Sequence, residues 1–158
     1  IPGAVSITMD KSGDMVRFKA DDIDYYTAPN NQGYEGTLTI ARTPDEFRSD
    51  VLGEEKTDGG VMIESADAKT KRIALLFEFQ GDVKATRHLL YYCSVDRPSI
   101  SSTTKDSGDP NTTELAIVAS PRPDNNLVKT KTTETTTTQI YDNWYKKVYE
   151  EESEIESA

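Results

Sequence analysis

The sequence predicts a mainly β (α+β) fold, an antiparallel β-sandwich or rolled β-barrel with one or two α-helices on its flank. Three observations predict it. Alternating or β-branched runs of strand length recur along the chain, about eight or nine in all, divided by Gly, Pro, Asn and Asp clusters. Only two stretches change to helical spacing. Strands and helices never fall into the βαβ rhythm that a parallel sheet requires. The 158 residues suit one domain. Residues 1–150 are assigned to it, and the acidic residues 151–158 to a flexible C-terminal tail.

The elements follow in order. AVSITMD, Ala4–Asp10, sets Val5, Ile7 and Met9 against Ser6 and Thr8, and KSGD then turns the chain. MVRFKA, Met15–Ala20, returns, so the first 20 residues read as a hairpin. DIDYYTA is a short strand closed by the turn cluster PNNQG. YEGTLTIAR, Tyr34–Arg42, carries Leu38 and Ile40 on one face. In TPDEFRSDVLG, Thr43 is placed as N-cap and Pro44 as the first helical residue. Asp45 and Glu46 lie in the first turn, Phe47, Val51 and Leu52 form the apolar stripe, and Gly53 is the stop. Glu54–Gly60 reads as a charged flexible loop and Val61–Ser65 as a strand with Val61 and Ile63 on one face. Arg97–Thr113 starts extended and becomes a polar loop; Glu114–Ser120 is a strand ended by PRPDNN. The Thr-rich run Leu127–Gln139 favours strand in its first half, exposed or at an edge. In Gln139–Glu151, Ile140, Trp144 and Val148 fall on one helical stripe, joined by Tyr141 and Tyr145.

Composition narrows the function. Eighteen Lys and Arg stand against 28 Asp and Glu, a net charge of −10. That disfavours binding to phosphate backbones or anionic membranes. One cysteine cannot make an intrachain disulfide or a cysteine zinc site, and it fits a reducing compartment. No apolar run approaches the ~20 residues of a membrane helix. Phosphate loops, nucleophile elbows and Walker sequences are absent from the sequence. The run Asp21-Asp22-Ile23-Asp24 lacks the frame of a calcium loop, and the remaining acids sit in turns where solvated charge is the default. No catalytic, metal or cofactor residue is assigned. Asn111-Thr112-Thr113 matches a glycosylation sequon by chance, in a polar loop.

The most apolar stretch, LLFEFQGDVKATRHLLYYC (Leu75–Cys93), holds the only histidine and the only cysteine. His88 and Cys93 are five apart. In a regular strand that sends them to opposite faces, about 16 Å apart at ~3.3 Å per residue. The reading is therefore a core β-hairpin, not a His–Cys dyad. Leu75, Phe77 and Phe79 share a face of the first strand, and Leu89, Tyr91, Cys93 and Val95 share a face of the second. A three- or five-residue loop around Gly81 and Asp82 sets Phe77 opposite Arg87, Phe79 opposite Ala85 and Leu75 opposite Leu89. An even loop would set the phenylalanines opposite Lys84 and Thr86, so parity favours the odd loop.

Taken together, IPGAVSITMDKSGDMVRFKADDIDYY, NNQGYEGTLTIARTPDEFRSDVLG, LLFEFQGDVKATRHLLYYCSVDRPSISSTTK, ASPRPDNNLVKTKT and YDNWYKKVYEE resemble, in that order, the major tail protein family of long-tailed, non-contractile bacteriophages of Gram-positive hosts. The likeness spans nearly the whole chain and rests on scaffold phrases, not catalytic motifs. It implies a phage tail-tube-like fold that lacks an N-terminal segment. It also implies a structural, non-enzymatic subunit that self-assembles into stacked rings, usually hexameric, as the conduit for DNA ejection. The implied partners are other copies and the tape measure, tail terminator and distal tail proteins. DNA passes through the lumen without specific binding, and no membrane or cofactor is involved. The implied place is the virion tail, after synthesis in the host bacterial cytoplasm.

Residue chemistry is compatible. A Thr-rich edge is useful where a neighbour pairs with it, polar loops such as Glu54–Gly60 and Thr103–Thr113 can reach adjacent subunits or rings, and an acidic lumen would repel DNA. Glu54, Glu55, Lys56, Thr57, Asp58, Thr135, Thr136 and Thr137 are the expected subunit or ring interface. The competing reading is a non-enzymatic β-sandwich binding module, an adhesin or carbohydrate-binding domain, using Tyr25, Tyr26 and Tyr34 or Tyr141, Trp144 and Tyr145. An enzyme has no motif behind it.

Overall fold

The computed structural model describes residues 3–151 apart from 21, 22, 80, 82, 83 and 101–110. The fold is mainly β: a curled antiparallel sheet forms a half-barrel, with short helices against it. Strand β1 (Ala4–Ser12) pairs with β4 (Gly33–Ile40), and β4 pairs with β9 (Thr113–Ala119). The last residues of β8 (Arg87–Val95), Cys93–Val95, pair with Ala119–Ile117 of β9. Farther back along β8, Leu90–His88 pair with β10 (Lys129–Lys131) instead. Strand β7 (Ile73–Glu78) takes the other side of β8. Strands β9 and β10 thus lie end to end in one row, and the sheet runs β1, β4, β9/β10, β8, β7.

Alternation decides the concave side. Leu38 and Ile40 of β4, and Leu115, Ile117 and Ala119 of β9, point inward with Cys93 and Val95. After β4 come α1 (Asp45–Phe47) and a π-helical turn, Arg48–Leu52. The wider turn lets the adjacent residues Val51 and Leu52 both enter this core, and Phe47 packs against it. Gly53 ends the segment with φ 76°, as expected.

Several expectations are corrected. The first 20 residues are not a hairpin. At Gly13 the chain leaves the sheet and builds a separate pair, β2 (Val16–Ala20) with β3 (Ile23–Ala28). It rejoins at β4, where Gln32 N–H donates to the Ser12 carbonyl at 3.1 Å. The non-local β1–β4 pairing sets Ile7 opposite Leu38, beside the core. Thr43 is not the N-cap. Pro44 holds that place, with ψ 145°, and the Thr43 hydroxyl is buried without a partner among the described residues. Thr43→Val should therefore leave the urea midpoint unchanged or raise it. A true cap would lose about 1 kcal/mol.

Glu54–Gly60 is not a loop throughout: β5 (Glu55–Lys56) and β6 (Met62–Ile63) form a small hairpin around it. The parity argument for the Leu75–Cys93 segment also fails. Phe77 faces His88 and Leu75 faces Leu90, with an even number of residues between Glu78 and Arg87, and Phe77 remains half-buried against the core. The register also shifts by one residue between the Leu75–Leu90 and Ile73–Cys93 pairs. That bulge breaks the expected face in two. Leu89 and Tyr91 point outward, whereas Cys93 and Val95 share the concave side with Leu90.

The C-terminal helix is shorter than its periodicity suggests. Helix α2 spans Thr138–Asn143, after which the chain turns back. Trp144 is buried against Leu89 and Tyr91 and stacks on Tyr149, with Val148 nearby, while Ile140 is left half-exposed. The Tyr91 hydroxyl donates to the Tyr149 carbonyl at 2.8 Å, and Arg122 donates to Glu150 at 2.6 Å. Arg87 lies over the Tyr141 ring, 3.8 Å from its centre, and Tyr141 donates to the Ala85 carbonyl. This segment covers the convex side of β7, β8 and β10. The expected tail beyond Glu151 and most of the Thr103–Thr113 loop lie outside the described residues. No helix of the described residues is long and apolar enough to cross a membrane.

Candidate assembly surfaces

Three surfaces have the make-up of contact or lining surfaces. The first is the convex side of β1, β4 and β9, whose residues are exposed or half-exposed. Register puts three rows there: Ser6, Thr39 and Glu114; Thr8, Thr37 and Ala116; Asp10, Glu35 and Val118. The opposite rows, such as Ile7, Leu38 and Leu115, face the core. The convex rows contain hydroxyls, small apolar groups and three carboxylates, with no lysine or arginine. Such a surface repels polyanions and offers them no ion pair.

The second consists of the sheet's edges. Among the described residues β1 pairs only with β4, and β7 only with β8. Unpaired strand edges are templates for another strand. Counted across the sheet, β1, β4, β9, β8 and β7 alternate in direction, so the two edges point the same way. The edge expected from the Thr-rich run exists as β10, but Thr133–Thr136 close into a turn, with Thr133 N–H donating to Thr136 Oγ1 at 2.8 Å.

The third is a cleft of about 150 Å³ at one end of the concave side, lined by Ile7, Met9, Tyr34, Phe77, Phe79, His88, Leu90 and Lys129. His88 stacks on Phe77 with ring centres 5.1 Å apart and meets Phe79 edge-on at 5.6 Å. Burial lowers its pKa, and the positive charges of Lys129 and Lys131 lower it further.

The bulge brings His88 and Cys93 to the same side of β8, which corrects the opposite-face expectation. The conclusion drawn from it stands on other grounds. Cys93 is fully buried, its thiol donates to the Leu90 carbonyl at 3.7 Å, and burial pushes its pKa up to about 11. This thiol is inert, not a nucleophile. A soluble aromatic disulfide should label it at least ~100-fold more slowly in the folded protein than in urea, because reaction waits on opening. Equal rates would refute the buried placement.

The expected interface residues fall at opposite ends of β8. Glu54 is buried and accepts a hydrogen bond from Arg48 at 2.9 Å, so it serves its own fold. Glu55 and Lys56 form β5, and Lys56 approaches Asp45 at 3.5 Å. Thr57 closes the hairpin, its hydroxyl accepting from Val61 N–H at 3.1 Å, and Asp58 is exposed in the turn. Thr135, Thr136 and Thr137 precede α2 near the start of β8, where Lys84 donates to the Thr136 carbonyl. The hairpin's own exposed apolar residues, Val61 and Ile63, were not among the expected interface residues; an apolar pair following Asp-Gly-Gly was the available signal.

Of the aromatic cluster weighed for a binding module, only Trp144 lines the cleft of about 760 Å³ beside α2, whose lining also includes Ile140, Val148 and Tyr149. Trp144 is buried, and Tyr141 is occupied by Arg87 and Ala85. The side chains of Tyr25 and Tyr26, and residues Asp21 and Asp22, are outside the described set. Among the described residues no group of three or more His, Cys, Asp or Glu is arranged to hold a metal.

A family model described as phage tail tube protein matches residues 1–157. No curated protein and no solved structure matches the chain.

Proposed function

Because the chain belongs to the phage tail tube protein family and is therefore a structural protein of the virion tail, we propose that it is the repeating subunit of a ring-built tube, with the convex side of β1, β4 and β9 lining the lumen. The carrying observation is that side's make-up, Asp10, Glu35 and Glu114 among hydroxyls with no cation. A lumen must let a polyanion slide without holding it, and carboxylates set among neutral groups do that. The β1 and β7 edges support ring closure: the β1 edge of one subunit lies beside the β7 edge of the next, in parallel because the edges point the same way. Contact with itself and with other tail proteins follows from the reading, as does a role that needs no catalysis. Six subunits per ring, DNA passage and synthesis in the host cytoplasm belong to the same proposal.

The test is negative-stain electron microscopy of the full chain at high concentration. Rings or hollow filaments support the proposal. A persistent monomer that binds immobilised glycans would replace it with the binding-module reading. In assembled tubes, Asp10→Lys with Glu35→Lys and Glu114→Lys should leave the tube intact and make it retain added linear DNA at low salt. Indifference to DNA would remove the convex side from the lumen.

A further inference from the structure

The two ends of the half-barrel are complementary. At one end the cleft exposes an aromatic trio, Phe77, Phe79 and His88, with Phe79 half uncovered. Register adds cations on the same side: Lys131 is opposite His88, Lys129 opposite Leu90, and Lys11 opposite Tyr34. Lys129 donates to the Tyr34 hydroxyl at 3.0 Å. These cations stand in a chain of net charge −10, and the residues that line the cleft include no acid. A cavity of this size accepts a benzene-sized apolar group.

The opposite end carries the β5–β6 hairpin. Val61 is 60% exposed and Ile63 48% exposed, with Glu55 paired opposite Ile63 and Asp58 in the turn. Glu64, at the hairpin's base, is held by Arg97 at 2.7 Å, just past the end of β8. His88 and Leu90, at the cleft, lie near that strand's start. The length of β8 therefore separates the two features, and one molecule cannot join them to each other.

We propose that the β5–β6 hairpin of one copy seats Val61 and Ile63 in the Phe77–Phe79–His88 cleft of the next, with Glu55 and Asp58 against Lys129 and Lys131. This rests on the tube reading and specifies its ring-to-ring contact. A knob at one end and a socket at the other make a heterologous contact, which propagates copies along the strand direction. Apolar groups fill the centre while opposite charges set the register from the rim.

The test uses the full chain under conditions where the unaltered protein assembles. Lys129→Glu with Lys131→Glu should lower the yield of sedimentable tubes by about tenfold or more, because like charges then face each other across the contact. Glu55→Lys with Asp58→Lys should do the same, and the four changes together should restore tubes. Chains carrying Val61→Cys mixed with chains carrying Phe79→Cys should cross-link on mild oxidation, giving a dimer band that neither variant gives alone. Tubes at normal yield from both charge variants, or no mixed cross-link within intact tubes, would overturn the contact and leave the tube reading standing. A Phe79→Cys cross-link to the chain's own β2–β3 pair would overturn it in favour of an internal occupant. If the unaltered chain makes no tube, the parent reading fails and this contact with it.

Discussion

Gly36→Ala is expected to strip β1 from the sheet. A Cβ placed on Gly36 would lie 1.8 Å from the Thr8 carbonyl oxygen and 2.9 Å from the Met9 Cα. Both are backbone atoms of β1, so no side chain can rotate away. The only relief is for β1 to move, and among the described residues it pairs with no strand except β4. Overpacking a core costs about 1–3 kcal/mol, and here the blocked neighbour is backbone, so ~3 kcal/mol or more is expected. That is a large share of a typical stability of about 5–15 kcal/mol. Urea unfolding should show the loss. Hydrogen exchange should show more: β1 amides lose protection while those of β8 and β9 keep theirs. Because β1 is also a proposed ring edge, tubes should not form. A variant with the original midpoint and protected β1 amides would mean that the close approach is not real.

Trp144→Ala carries the second large effect. Trp144 is 3% exposed and is the centre of the outer cluster with Leu89, Tyr91, Val148 and Tyr149. Truncating a buried tryptophan costs about 3–5 kcal/mol. The indole N–H is buried without an acceptor among the described residues, so the loss comes from packing and not from a hydrogen bond. Trp144→Phe should therefore keep most of the stability, costing about 1–2 kcal/mol for the lost volume. In the alanine variant the Tyr149 carbonyl should also lose its bond from Tyr91, and Lys146–Glu151 should become a protease site. Equal losses for Phe and Ala would show that an unseen partner of the N–H, not packing, holds the segment.

The strands with one buried face were plain in the sequence. Leu38 and Ile40 of β4, and Leu115, Ile117 and Ala119 of β9, alternate with exposed or half-exposed residues and are buried as their spacing requires. Strand β8 was not plain, because both of its sides are covered: the core takes Leu90 and Cys93, and the C-terminal segment takes Leu89 and Tyr91. Apolar residues on both faces carry no register information, so neither the bulge nor the true partner of Phe77 could be read. The β1–β4 pairing was hidden for a different reason. Lys11–Asp14 is a good local turn, and only the non-local burial of Ile7 beside Leu38 overrides it. Thr43-Pro44 gave the right helix start one residue out of place. Of the assembly surfaces, the acids were visible but their faces were not, since the shared side of Asp10, Glu35 and Glu114 exists only once the register is known.

The most direct test of the account is a cryo-electron microscopy reconstruction of tubes grown from the full chain, at a resolution that separates strands. The account predicts Asp10, Glu35 and Glu114 on the inner wall. It also predicts continuous sheet from the β1 edge of each subunit to the β7 edge of the next. Tubes with the Asp10–Glu35–Glu114 side on the outer surface, or with β1 and β7 unpaired between subunits, would contradict it.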